Sequence, residues 1–241
     1  MLYIFGDSFS TPHEHKSEVI GPNGIVSFLP LEKNWTSIVS EELTGSRNHV
    51  NESVLGCANE YIFHTLRSRE PSFKSGDYVI VQLTSHYREW FFEDKPHMGN
   101  YISTKFEPGV HASKEVTEAL EMYKKYLYSD HRLIIHYIAM RDAIILRTKL
   151  LAEINVRLLI IPGFHNIRGV EGTMFDASNT EFDCKETADA FYNKTSDNRY
   201  NHFSENNHKI LANKIINFFK NGNTVDLTAG FETSIYNKDN F

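Results

Sequence analysis

Cysteine is scarce in this chain: its 241 residues hold two, Cys57 and Cys184. That excludes a disulfide framework and a four-thiolate zinc site, and makes free thiols in a reducing compartment the expectation. Long apolar runs are missing too. No stretch approaches the roughly 18 uncharged residues of a membrane span. The apolar opening Met1-Leu2-Tyr3-Ile4-Phe5 has no basic flank of the kind a signal peptide carries before it meets Gly6-Asp7. The expectation is a soluble, unexported, cytoplasmic chain with no membrane partner. Cations are in deficit: 25 Lys and Arg against 31 Asp and Glu give a formal charge of −6. Nucleic acid, whose phosphates demand clustered cations, is therefore not an expected partner. Linkers rich in Pro, Ser or Gly, internal repeats and low-complexity tracts are absent as well.

What the chain does have is aromatic mass, with 17 Phe, 12 Tyr and 2 Trp, enough for a substantial core. Short apolar runs alternate with helical periodicity. Leu2–Phe5, stopped by Gly6, reads as a buried strand. Residues 7–33 read as a long loop. Asn34 is placed to cap a helix over Trp35–Leu43. His49–Leu55 is expected as a second strand and Asn59–Arg69 as a second helix. Asp77–Leu83 is the clearest buried strand of the first half. Helices follow near Lys114–Tyr128 and Arg132–Ile154, the second apolar around much of its circumference and so expected to be largely buried. Val156–Ile161 is another strand, and Glu205–Lys220 a final helix. Strands alternating with helices predict one α/β/α domain over residues 1–220, with a mainly parallel sheet covered on both faces. The polar tail 221–241 still carries Val225, Leu227, Phe231, Ile235, Tyr236 and Phe241. It is expected to pack on the body or on a neighbouring subunit, which makes it the candidate surface for a homo-oligomer.

Two motifs carry chemistry. Phe5-Gly6-Asp7-Ser8-Phe9-Ser10 directly follows the first strand, where backbone N–H groups point out of a parallel sheet. A serine there is placed to act as a nucleophile, with its own N–H facing a developing oxyanion. The same tripeptide is also a common turn. A hydroxyl nucleophile needs a base, and Asp197-Asn198-Arg199-Tyr200-Asn201-His202 supplies a loop histidine preceded by an acid, just before the last helix. His208, inside that helix, is the competing base.

Gly6-Asp7-Ser8 after an N-terminal strand, a lone glycine in a second block, and an acid-plus-histidine loop before a C-terminal helix together resemble the SGNH (GDSL-type) hydrolase superfamily. The likeness runs from Leu2 to about Lys220. It implies a flavodoxin-like three-layer α/β/α fold and cofactor-free hydrolysis of an acyl ester on a small molecule or carbohydrate, including O-acetyl groups. On that resemblance Ser8 is the nucleophile, His202 the base, and Gly56 a backbone donor to the oxyanion. The chain departs from the family pattern twice. In place of Gly-x-Asn-Asp the third block reads Thr84-Ser85-His86-Tyr87-Arg88, so His86 stands at the asparagine position and Asn59 is the other candidate donor. Arg199 stands three residues before His202, where the family has its acid, which leaves Asp197, five before, or a Ser8–His202 dyad oriented by a backbone carbonyl. The blocks Thr84-Ser85-x-x-Arg88 and Asp197-x-Arg199-x-Asn201-His202 are similar to a divergent branch of phage and surface-polysaccharide clusters. Asp7, Thr84, Ser85 and Arg88 are the candidate substrate-binding residues, with Arg88 also able to pair with Glu89 or Asp7.

The alternative reading is a catalytically degenerate SGNH-fold protein, a ligand binder or a phage structural component. A nucleotide-binding flavodoxin-like protein is disfavoured because no Gly-x-Gly-x-x-Gly follows the first strand. His13-x-His15 lacks two further ligands, so no metal is expected. His165 is a candidate pocket residue, and Trp90-Phe91-Phe92 either a substrate wall or core.

Overall fold

The computed structural model describes residues 1–11, 19–21, 24–26, 34–54, 56–90, 114–167, 170, 172–174, 203 and 205–231. Period-two alternation of apolar side chains organises the centre. In β1 (Leu2–Phe5), Leu2 and Ile4 enter one core cluster, while Tyr3 and Phe5 enter another. The same split recurs in β5 (Tyr78–Leu83) and β6 (Arg157–Pro162): Ile80, Leu159 and Ile161 lie on the first face, and Val79, Val81, Leu158 and Ile160 on the second. Side chains of successive strand residues point to opposite faces, so a strand apolar at every position must be covered twice. With β4 (Val50–Asn51) these strands form a four-stranded parallel sheet in the order β4-β1-β5-β6.

Helices supply both covers. On the first face α1 (Trp35–Thr44) contributes Trp35 and Val39, and α5 (Glu205–Asn221) contributes Leu211, Ile215 and Phe219. On the second, α2 (Asn59–Arg69) contributes Ile62 and Leu66, and α4 (Asp130–Glu153) contributes Tyr137, Ile144 and Leu151. Burying each such side chain stabilises the fold by about 1.5–3 kcal/mol. Asn34 caps α1 as its position suggests: its side chain accepts from the Thr36 N–H at 3.1 Å. The alternating α/β pattern and the parallel sheet thus match the expected class. Val225, Leu227 and Phe231 join the first core, so the start of the tail lies on the body; residues 232–241 lie outside the described set.

Three expectations need correction. The segment read as loop 7–33 contains an antiparallel pair, β2 (Val19–Gly21) and β3 (Gly24–Val26); Val-Ile-Gly and Gly-Ile-Val bracket a two-residue connection, a hairpin signature. The strand expected over His49–Leu55 is regular only at Val50–Asn51. Asn51 Oδ1 takes the Ser53 N–H at 3.0 Å and bends the chain, although Glu52 and Val54 still donate to Ile4 and Gly6 of the β1 edge. Finally α4 buries one side only, leaving Ile134, Ile135, Ile138, Leu146 and Leu150 exposed. Between β5 and α4 lies α3 (Lys114–Tyr126). Among the described residues, no helix is long and apolar enough to cross a membrane.

Candidate functional site

Strand order creates the site. From β1 the chain moves to β4 on one side and then crosses to β5 on the other, so the connections diverge beyond the carboxyl ends of β1 and β5. Such a divergence opens a crevice where α/β sheets bind ligands. Asp7 and Ser8 leave β1 on one lip of it, and Thr84–Arg88 leave β5 on the other.

The turn carrying Ser8 is held from below. Gly6 is required because a Cβ there would meet Ser10 Oγ at 2.6 Å and Gln82 Oε1 at 2.7 Å. Gln82 Oε1 accepts from the Asp7 N–H and from Ser10 Oγ, both at 3.0 Å. Ser10 and Thr11 N–H groups return to the Asp7 carbonyl. Asp7 Oδ1 accepts from the Phe9 N–H at 3.0 Å, and Oδ2 from Thr84 Oγ1 and Arg88 Nη1, each at 2.7 Å. Arg88 Nη1 also donates to Thr84 Oγ1, and its guanidinium lies 5.2 Å from the centre of the Phe164 ring. A carboxylate this deep is tolerable only with such pairing.

Asp7, Thr84, Ser85 and Arg88, the candidate substrate-binding residues, are 0%, 1%, 3% and 6% exposed and brace the crevice from inside. Ser85 Oγ accepts the Tyr87 N–H at 3.2 Å and shapes the turn after β5. Arg88 pairs with Asp7, not with Glu89; Glu89 accepts instead from Tyr123 and Arg132. Asn59 is likewise engaged. Its Oδ1 takes the Thr84 N–H at 2.8 Å, and its Nδ2 donates to the Thr84 and Ser85 carbonyls, clamping α2 to the turn after β5.

Gly56 has φ +66°, the left-handed region that favours glycine, in the turn closed by the Cys57 N–H to the Val54 carbonyl. Cys57 is buried and its thiol donates to the Gly6 carbonyl at 3.2 Å; burial, then the Asp7 charge, push its pKa up. His86 and His165, three residues beyond β5 and β6, meet ring to ring, with Nδ1 of the first 2.6 Å from Nε2 of the second. Burial lowers both, and His165 falls to about 4, with His86 as the second cause. Both rings are neutral at pH 7, so one donates to the other.

Ser8 itself is half-buried. Its neighbour Phe9 packs edge-on against Phe203 with 5.9 Å between ring centres and against Phe164 at 5.6 Å, and the Trp35 indole donates to the Phe9 carbonyl at 2.9 Å. His208, the competing base candidate, is fully buried and its Nδ1 accepts the Trp35 N–H at 3.3 Å, joining α5 to α1. Trp90 packs on Tyr61 and His64 of α2. His13, His15, Phe91, Phe92, Cys184, Asp197, Arg199 and His202 lie outside the described residues. Among the described residues, no three His, Cys, Asp or Glu side chains group as a metal site would need. Two contributors escaped the sequence reading: Gln82, and the Phe9–Phe203 pair. The first had a signal, a polar residue inside the apolar run Tyr-Val-Ile-Val-Gln-Leu, which must find buried partners. No family model matches this chain, and no curated protein does.

Proposed function

We propose that the protein is a serine esterase of SGNH type on a flavodoxin-like three-layer scaffold, acting on an acyl ester, including O-acetyl groups of a carbohydrate. Ser8 Oγ adds to the acyl carbonyl while His202 takes its proton. His202 then returns that proton to the departing alkoxide, leaving an acyl-serine that water cleaves by the same steps in reverse roles. Asp197 orients the imidazole. The N–H groups of Ser8 and Gly56, joined by His86, receive the oxyanion.

The observation that carries this reading is the Phe9–Phe203 contact. Phe9 and Phe203 each follow one of the two proposed catalytic residues in sequence, and adjacent Cα atoms are 3.80 Å apart, so their contact supports a reading in which the two chain segments meet. The Ser8 turn at the divergence of β1 and β5 and the strand order with helices on both faces support the reading further. The test is hydrolysis of p-nitrophenyl acetate. Ser8→Ala should abolish turnover with the fold intact by circular dichroism; equal rates for the two proteins would remove Ser8 from the mechanism.

A further inference from the structure

Helix α4 runs 24 residues, about 36 Å at 1.5 Å per residue. Leu133, Tyr137, Ile144 and Leu151 form its buried stripe, facing the sheet. Its opposite side is not the polar surface that usually completes such a helix. Ile134, Ile135, Ile138, Leu146 and Leu150 are 38–53% exposed, and Ile154 continues the line just past the last turn. Six half-open aliphatic side chains make a patch on the order of 500 Å², at the upper end of what a monomer shows to water.

We propose that this face of α4 is a two-fold interface between two copies of the chain, with the helices antiparallel. Two such patches would bury up to roughly 1,000 Å² together, the least that a specific interface is expected to clear. Charge selects the occupant and the direction. Exposed Asp142 and Lys149 lie on this same side, seven residues apart, two turns of helix. With the axis midway between them, Asp142 of each copy faces Lys149 of the other on both flanks, and Leu146 meets its twin near the axis. A parallel pairing would set Asp142 against Asp142. Arg141 donates to Asp142 Oδ1 at 2.8 Å. Arg132 and His136, half exposed, are engaged within the chain: Arg132 binds Glu89, and His136 lies 3.3 Å from Glu60. A symmetric, self-complementary patch is what a closed dimer requires.

Sedimentation velocity on the full chain across the micromolar range tests this. The wild type should sediment as a dimer. Leu146→Glu, at an exposed site that leaves the fold unchanged by circular dichroism, should weaken the dimer at least about 30-fold, the effect of one central interface side chain. Asp142→Lys and Lys149→Asp should each weaken it, and the two together should restore it, since the antiparallel pairs are re-formed with signs exchanged. A wild type that stays monomeric, a Leu146→Glu dimer as tight as wild type, or a double exchange no better than its components would each overturn the proposal.

Discussion

The ring of Phe9 meets the ring of Phe203 edge-on, 5.9 Å between centres, although one follows the first strand and the other precedes the last helix. Both belong to the core between the sheet and α1 with α5. Replacing both by leucine keeps apolar volume and removes the ring geometry. A double-mutant cycle on urea unfolding should return a coupling of about 0.5–1.5 kcal/mol, the usual worth of an aromatic pair. A coupling near zero would mean that the two chain segments are not joined through these rings.

The Asp7–Arg88 pair makes a second prediction. Arg88→Ala strands a fully buried carboxylate and should destabilise by about 3–5 kcal/mol. Asp7→Asn together with Arg88→Met removes both charges and should recover part of that loss. Urea midpoints of the three variants decide the matter: equal stability of Arg88→Ala and wild type would show that the carboxylate is hydrated rather than buried.

Asn59 joins α2 to the turn after β5 through three backbone groups. Asn59→Asp keeps the acceptor and loses the two N–H donors, taking the Asn59 bond from the Thr84 carbonyl and leaving the Ser85 carbonyl only the Arg88 N–H. It should cost about 1–3 kcal/mol and lower kcat by shifting His86 more than it raises KM. Unfolding together with ester turnover measures both. An unchanged stability with a selective loss of turnover would instead restore Asn59 as a direct oxyanion donor.

Stability should respond to pH in two opposed ways. His165 has its pKa lowered to about 4 by burial and by His86, so between pH 6.5 and about 4 the unfolded chain binds more protons and stability falls as pH drops. Glu60 is raised from 4.5 to about 7, chiefly by burial, so the folded state holds the extra proton there and stability falls as pH rises through that window. Glu60→Gln should therefore gain on wild type above pH 7 and lose the advantage below pH 4.5. His165→Gln should gain below pH 5 and not above pH 7. Urea midpoints at the two ends of the range check both, and a pH-independent difference would contradict the assignment.

How far the sequence could be read depended on how local the determinants are. The limits of β1 follow from its apolar run and from Gly6, α2 from its apolar periodicity, and Asn34 announces α1 by the capping chemistry of its own side chain. Partners distant along the chain were not readable. Arg88 had two plausible acids, and only the parallel pairing of β1 with β5 brings Asp7 rather than Glu89 to its guanidinium. The same packing turned Asn59 toward backbone. For α4, composition showed an apolar helix but not which side the sheet would cover, because apolar residues occupy much of the circumference. The palindromic Val-Ile-Gly and Gly-Ile-Val arms of the hairpin are a local signal, set in a segment dominated by turn residues.

The central claim is an activated Ser8, and covalent labelling reaches it most directly. Incubation with a fluorophosphonate followed by peptide mass mapping should place a single adduct on Ser8 in the wild type, none in Ser8→Ala, and a rate at least about 10³-fold slower in His202→Ala, the scale on which a serine loses its base. A folded wild type whose Ser8 stays unlabelled, or His202→Ala labelled as fast as wild type, would contradict the account.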